Sequence, residues 1–464
     1  MRYCHICRYC MFGLGVALLG TVSSAHAAAT YTEINIFNNP DLVSLDIGDL
    51  DRNGTADIAV GEGPTGGRVF AYTQTGVQGV FDTTLAGGFG QPANVAIGDF
   101  TGDGFNDITL SRVGISGDLR LLTSTAPNTF ADSLIDNFGS THAPVVGDLN
   151  QDGASDIIIS RASDGQLFRE QQDGGGSFTF SSLGTFGAGE HSLAIGHLDD
   201  TTVAVVNDIV IGRASGDVRV QFQTGVGTFS DVVVTNLGSA VGHVGVGNLD
   251  GAAGLDILAI RADSAVFRES QTGSQTFAET NILNFGPAAV NAMDIGDLDN
   301  DGTDDIVIAL DDGRVFLNYQ ETAGIFTSLL LPGTFVGGVP VLDVAIGDLD
   351  SDGLQDFVLG LNDGRAFGYF QLVQDADFDS DGDVDGADFL TWQRGFNAAG
   401  TLATGDANSD LFVDAADLAI WESQYGSTHP VILAAAVPEP RALILASLGG
   451  IFCLAIRRSS ILSV

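Results

Sequence analysis

The stretch GDLDNDGTDDI, Gly296 to Ile306, places five aspartates in eleven residues and leads directly into the apolar run that continues as VIAL. Carboxylates this close repel one another, so a bare acidic turn should stay solvated and loose unless a cation sits among them. The order of the residues argues for more than an acidic turn. Asp297, Asp299 and Asp301 alternate, Gly302 follows at once, and Asp305 closes the set. Alternation aims successive side chains at one centre, glycine permits the sharp bend, and the last carboxylate returns from the far side.

Working outward, the same pattern recurs seven times, beginning at Asp49, Asp99, Asp148, His197, Asn248, Asp297 and Asp348, with spacings of 49 to 51 residues. Each copy is preceded by an apolar run such as LDIG or VAIG and followed by another such as DIAV or DIIIS. A third run (GRVFAY, GQLFRE, GDVRVQ) and a fourth around Phe or Val (GVFDTTL, TFAETNIL) complete the unit. Four short strands rich in Val, Ile and Phe, punctuated by Gly and Asp, are the content of one propeller blade, whereas a solenoid unit would not need four. The last unit stops after its third strand, at Val373, while an orphan strand, ATYTEINIF from Ala29 to Phe37, precedes the first. The expectation is an all-β, seven-bladed β-propeller over residues 29–373, closed by the N-terminal strand so that no sheet edge stays open there.

The order D-x-D-x-D-G resembles the start of a calcium loop. The repeats as a whole resemble the FG-GAP or integrin-alpha type of calcium-binding propeller repeat. Phe89-Gly90, Phe138-Gly139, Phe186-Gly187 and Phe285-Gly286 stand where that family has its FG, while Leu237-Gly238 and Phe335-Val336 replace the pair in units five and seven. The resemblance implies Ca2+ as the cofactor. Calcium takes six to eight oxygens, so each lost carboxylate matters. Units one, three, six and seven keep every position: Asp49, Asp51, Asn53, Asp57; Asp148, Asn150, Asp152, Asp156; Asp297, Asp299, Asp301, Asp305; Asp348, Asp350, Asp352, Asp356. Unit two offers Asp99, Asp103 and Asp107 with Thr101 in the second place. Unit four begins at His197, keeps Asp199 and reaches Asp208 three residues late, so it is expected to bind nothing. Unit five has Asn248, Asp250 and Asp256 but Ala252 and Ala253 where a ligand and the glycine belong.

A second acidic pattern follows over residues 374–426. Asp377, Asp379, Asp381, Gly382, Asp385 and Asp388 occupy positions 1, 3, 5, 6, 9 and 12 of an EF-hand-like loop, with Asp383 offering its carbonyl. Asp406, Asn408, Asp410, Asp414 and Asp417 repeat it at a spacing of 29, with Leu411 in place of the bend glycine. A tandem pair closing with Asp where an ordinary EF-hand has Glu resembles a small α-helical dockerin-type domain, which implies a cohesin-like partner. A calcium-stiffened spacer with Trp392 and Trp421 in a small shared core is the alternative.

The chain has 464 residues, a net charge of −41, and arginine at all 18 basic positions. So acidic a surface repels phosphate backbones and excludes nucleic acid as a partner, and it makes the fold depend on counter-cations. Residues 1–27 have the form of a signal peptide, with Arg2, Arg8, the run MFGLGVALLGTV and a small-residue site at Ala25-His26-Ala27. Cys4, Cys7 and Cys10 fall inside it and Cys453 in the tail, so the expected exported body has no cystine. After a linker at 427–436, residues 437–464 carry VPEP, the apolar run ALILASLGGIFCLAI and Arg457-Arg458. This order resembles a PEP-CTERM sorting signal and implies an exosortase-type processing enzyme, with the protein secreted or held at the cell surface. A simple anchor is the alternative, although the run falls short of the ~20 residues of a comfortable span.

Arginines end the second strands of units two to five: Arg112, Arg161, Arg213 and Arg261. The third strands of the same units add Arg120, Arg169, Arg219 and Arg268, and His142, His191 and His243 recur near the start of strand one in units three to five. In the resembled family this end faces away from the calcium loops and takes ligands. One reading is an arc of guanidinium forks for the carboxylates or sulfates of an acidic glycan. A lyase would further use one of the histidines as base. The plainer reading is that the arginines pair with carboxylates of neighbouring blades. Together these features point to a secreted or cell-surface calcium-binding adhesion or recognition protein with an extracellular glycan or protein ligand; the alternative is a polysaccharide lyase or other carbohydrate-active enzyme.

Overall fold

The second strand of each repeat opens on Asp and continues as a largely apolar run, and a strand of that kind has to be covered on both faces. Asp57–Glu62, Asp305–Leu310 and Asp356–Leu361 are buried at all six positions. The computed structural model describes residues 29–427, apart from 30, 40, 64–65, 92, 113–116, 140–142, 190, 199–206, 226, 253, 323, 332–337, 373 and 409–411. It divides into two compact units, Met1–Gln371 and Leu372–Val464. The signal-like segment, His142, Asp199, Asp410, Leu411, Phe335-Val336 and the sorting-signal-like tail lie outside the described residues.

The first unit is a seven-bladed β-propeller of four-stranded antiparallel sheets. Blade one runs from Leu42–Gly48 through Asp57–Glu62 and Arg68–Gln74 to Phe81–Gly88. In blade seven Val341–Gly347, Asp356–Leu361 and Arg365–Gln371 are completed by Tyr31–Asn38, in register from Tyr31 opposite Gln371 to Asn38 opposite Arg365. The N-terminal strand therefore closes the ring, as the repeat count requires. First strands of adjacent blades touch one another, which places them around the axis.

The Ile-Gly that precedes five of the loops, Val-Gly in blades three and five, has a packing cause. A Cβ on Gly48 would lie 2.8 Å from Ile97 Cγ2 of blade two, and one on Gly347 would lie 2.9 Å from Ile47 Cγ2 of blade one. Glycine is what lets each inner strand come close enough for the neighbour's isoleucine to pack, including across the closure. The Phe-Gly pair works through its backbone: Phe89 N donates to Gly67 O at 2.7 Å, Phe186 N to Gly165 O at 2.8 Å, and Leu237 N to Gly216 O at 2.9 Å. Because the bond is main-chain, leucine keeps it.

The second unit holds two loop–helix pairs, α1 (Gly386–Gly395) and α2 (Ala415–Gln424). Asp385 with Asp388, and Asp414 with Asp417, form capping boxes at the two helix starts. The tryptophans cross over between the pairs. Trp392 Nε1 donates to Asp414 O at 2.7 Å and Trp421 Nε1 to Asp385 O at 2.9 Å, with Phe389 between the two rings. No helix among the described residues is long and apolar enough to cross a membrane.

Candidate metal centres and the arginine arc

All the acidic loops join strand one to strand two, so antiparallel pairing puts them at one end of the ring. Their backbone takes a common shape, with positive φ at the fourth position (Arg52, Gln151, Asn300, Ser351) and at the sixth (Gly54, Gly153, Gly302, Gly353). The first aspartate organises this turn. Asp49 accepts from Arg52 N at 2.7 Å and Gly54 N at 2.9 Å, and Asp297 accepts from Asp301 N at 3.0 Å and Gly302 N at 2.9 Å.

The closing aspartate is a structural anchor in every blade. Asp57 accepts from Leu50 N at 2.8 Å and from Gln74 N of the third strand at 2.9 Å. Asp208, in the loop with the fewest ligands, accepts from Leu198 N at 2.9 Å and Gln223 N at 2.7 Å. The loop pattern alone marks this position as a metal ligand; its retention where other ligands are lost signals its second role. Each oxygen has two lone pairs, so accepting an N–H leaves capacity for a cation. Burial pushes Asp57, Asp107, Asp156 and Asp256 up to about 6, Asp356 to about 7 and Asp305 to about 8. At Asp156 and Asp256 the guanidiniums of Arg169 and Arg268 pull the other way.

Whether the loops suit a calcium ion is decided by how their oxygens converge. In three blades, carboxylate oxygens of three residues lie within 4.8 Å of one another: Asp49, Asp51 and Asp57; Asp297, Asp299 and Asp305; Asp348, Asp350 and Asp356. Asp377, Asp379 and Asp388 of the second unit do the same. Asp350 Oδ1 is buried and meets no hydrogen-bond donor among the described residues. A buried acceptor left without a donor, inside an all-oxygen cluster, fits a hard divalent cation. Asn53, Asp301 and Asp352, and in the second unit Asp381 and Asp383, stand beside these clusters in the same loops. Asp406, Asn408 and Asp417 form the second EF-hand-like loop, where Asp417 accepts from Ala407 N at 2.7 Å much as Asp388 accepts from Phe378 N at 2.7 Å.

Loops two and three keep this turn, Asp99 and Asp148 capping it as Asp49 does, and differ in what meets their other ligands. Asp99 caps its own turn through Gly102 N and Gly104 N, both at 2.7 Å, and Arg52 of blade one reaches over to Asp103 at 3.8 Å with its guanidinium 3.8 Å from the centre of the Phe105 ring. In loop three Asn150 turns its amide onto Asp152 Oδ2 at 2.9 Å, while Asp148 accepts from Gln151 N at 2.6 Å and Gly153 N at 3.0 Å.

The arginines at the opposite end are engaged within their own blades. Arg161 grips Asp164 with both arms, at 2.9 and 2.6 Å, and Arg213 meets Asp217 at 2.5 Å. Arg112 pairs with Asp118 and Arg261 with Asp263. The third-strand arginines fall into two registers. Arg120 and Arg219 lie against Asp132 and Asp231 of the outer strands, whereas Arg169 and Arg268 are only 7% and 8% exposed and turn toward the loop end. The sequence pattern, which counts residue types per strand, could not separate these two registers. His191 is buried, and burial lowers the pKa of His243, whose Nε2 lies 3.1 Å from Val290 O.

Three further carboxylates line the axis in blades one, six and seven: Asp46, Asp294 and Asp343. Each reaches to the next blade's inner strand, accepting from Ile97 N at 2.7 Å, Ile346 N at 2.8 Å and Leu45 N at 2.9 Å respectively. They satisfy the donors of an otherwise bare sheet edge. A charged residue inside an apolar strand was the available signal for them.

Residues 49–110 and 297–359 match the family model of the FG-GAP-like repeat. No curated protein matches the chain in sequence. Two solved structures, described as the crystal structure of BBS1N in complex with ARL6DN soaked with mercury and with lead, are 10% and 11% identical to it, with TM-scores of 0.50 and 0.49. The similarity covers 74% of this chain and 98% of each of those chains, and at 10% identity the first speaks to the fold alone. The chain thus contains a seven-bladed β-propeller, in which residues 49–110 and 297–359 are FG-GAP-like repeats.

Proposed function

We propose that this protein is a calcium-stabilised recognition protein of the cell exterior, with an extracellular glycan or protein as ligand. The observation that carries the reading is the convergence of three carboxylates within 4.8 Å in each of three blades, at one end of the ring. A chain with net charge −41 and no lysine has to import positive charge, and millimolar external calcium would supply it to sites of even modest affinity. The opposite end is left for recognition. There a cavity of about 450 Å3 is lined by Asn94, His191, Ser192 and small apolar residues such as Ala214 and Gly242. Because the guanidiniums of the arc already hold aspartates, recognition rests on this cavity and the turns around it rather than on naked arginine forks. The EF-hand-like pair, docking to a cohesin-like partner, and the sorting-signal-like tail, processed by an exosortase-type enzyme, would place the propeller outside the cell. The lyase reading would need His191, which is buried yet lines this cavity, as its base.

Melting with and without calcium tests the premise. Three propeller sites each filled a hundredfold above their Kd would add ~8 kcal/mol, a rise in Tm of more than about 10 °C. An unchanged Tm on chelation would refute it, and calcium-dependent capture on a glycan and protein array would then name the ligand.

A further inference from the structure

If the acidic loops take divalent cations, as proposed above, the seven loops should share one requirement for positive charge, yet they meet it differently. Blades one, six and seven have converging carboxylates. Their third strands carry Ala71, Leu317 and Gly368 three residues before the glutamine whose N–H bonds the closing aspartate (Gln74, Gln320 and Gln371). In blades three and five that position is Arg169 and Arg268, three residues before Gln172 and Gln271.

Both guanidiniums occupy the same wedge between their own blade and the outer hairpin of the next. A Cβ on Gly227 of blade four would lie 3.0 Å from Arg169 Nη1 and Nη2, and one on Gly324 of blade six would overlap the Arg268 guanidinium. From that wedge Arg268 Nη1 donates to Leu249 O, in the acidic loop of blade five, at 2.7 Å. Loop two is served from outside, by Arg52 of the preceding loop, which bonds Ser124 O and stands 3.8 Å from Asp103. The residues matching Arg52 in the loops that precede six, seven and one are Gly251, Asn300 and Ser351, none of them charged.

We propose that the propeller divides charge compensation between imported ions and its own arginines: a divalent cation in loops one, six and seven, and a guanidinium in place of the ion in loops two, three and five. A buried guanidinium is stable only beside negative charge, and a loop already holding one repels a second cation. Loop three, whose ligand set Asp148, Asn150, Asp152 and Asp156 is complete in sequence, is therefore not a calcium site while Arg169 stands beside it.

The test is ion counting on the full chain by equilibrium dialysis with calcium followed by elemental analysis, with melting curves to verify folding. Asp297→Ala should lose one equivalent and Asp148→Ala none. Arg169→Gln should gain one equivalent, and Arg169→Gln combined with Asp148→Ala should lose it again. Loss of an equivalent from Asp148→Ala overturns the proposal, as does an unchanged count in a folded Arg169→Gln. Should Arg169→Gln fail to fold, Asp148→Ala set against Asp297→Ala decides alone. A wild-type chain that takes up no calcium would overturn the functional reading instead.

Discussion

Blades six, seven and one form one sector of the ring and blades two to five another, and the two are held together by different charges. The first sector concentrates carboxylates at both its loops and its axis, with Asp46, Asp294 and Asp343 reaching across consecutive inner strands. The second carries the eight strand arginines, seven of them bonded to carboxylates or backbone oxygens of the protein itself and the eighth, Arg169, buried within electrostatic reach of Asp156. One fold with one repeat length therefore hides two electrostatic designs. On the proposal above, the first would need an imported cation to be stable and the second would not. The ring also closes within the first sector, where Tyr31–Asn38 pairs with Arg365–Gln371.

The largest consequence concerns that seam. Removing calcium leaves like charges facing one another in loops six, seven and one, so local opening should begin there and spread into the N-terminal strand. Hydrogen exchange in chelator is expected to show amides of Tyr31–Asn38 and Arg365–Gln371 losing protection by an order of magnitude or more, while Asp217–Gly225 and Thr228–Asn236 of blade four change little. Uniform loss around the ring would break the distinction between sectors.

Much of this architecture could be read from the chain, because the repeat spacing, the buried second strands and the orphan strand are all local patterns with one geometric solution. The acidic loop pattern marked loops one, three, six and seven alike, and of these the carboxylates of three residues converge in one, six and seven among the described residues. What stayed hidden depends on register and on neighbours. Arg169 and Arg120 look equivalent as third-strand arginines, yet a one-residue offset sends one to a buried wedge and the other to an outer-strand aspartate. Asn150 reads as a ligand by type, but only the fold shows its amide turned onto Asp152. Arg52 reads as a loop filler until blade two is placed beside it.

A smaller effect of pH comes from the axial carboxylates of the first sector, added to that of the closing aspartates raised in both sectors. Burial raises Asp46 and Asp294 to about 6 and Asp343 to about 7, and Asp46 adds repulsion to both of the others. The backbone donors at Leu45, Val344, Ile47, Ile97, Ile295 and Ile346 oppose the rise without cancelling it. Since the folded pKa values lie above the unfolded value of about 3.9, the folded state holds more protons between these limits. Stability in calcium-free buffer should therefore fall as pH rises from about 4 to about 7. Urea midpoints of the metal-free protein at pH 5 and pH 7 measure that slope. Asp343→Asn should flatten it, and a slope unaltered by Asp343→Asn would detach the axial carboxylates from this behaviour.

The smallest effect is expected where the sequence looked most like a binding site. Arg112, Arg161, Arg213 and Arg261 are partly exposed and paired within the blade, and two of them also stack on a phenylalanine, Arg161 on Phe168 at 5.0 Å and Arg261 on Phe267 at 5.4 Å. Pairs of this kind contribute at most about 1 kcal/mol, because solvent screens them and ordering the side chains costs entropy. Arg213→Gln should therefore lower Tm by no more than a few degrees, with or without calcium, and leave ligand capture unchanged. Arg268→Gln should cost more, since a buried loop loses its only charged donor in that wedge among the described residues. If Arg213→Gln instead abolished capture of an acidic glycan at unchanged Tm, the guanidinium would have to leave Asp217 for the ligand, and the second sector would become the recognition surface through its arginines.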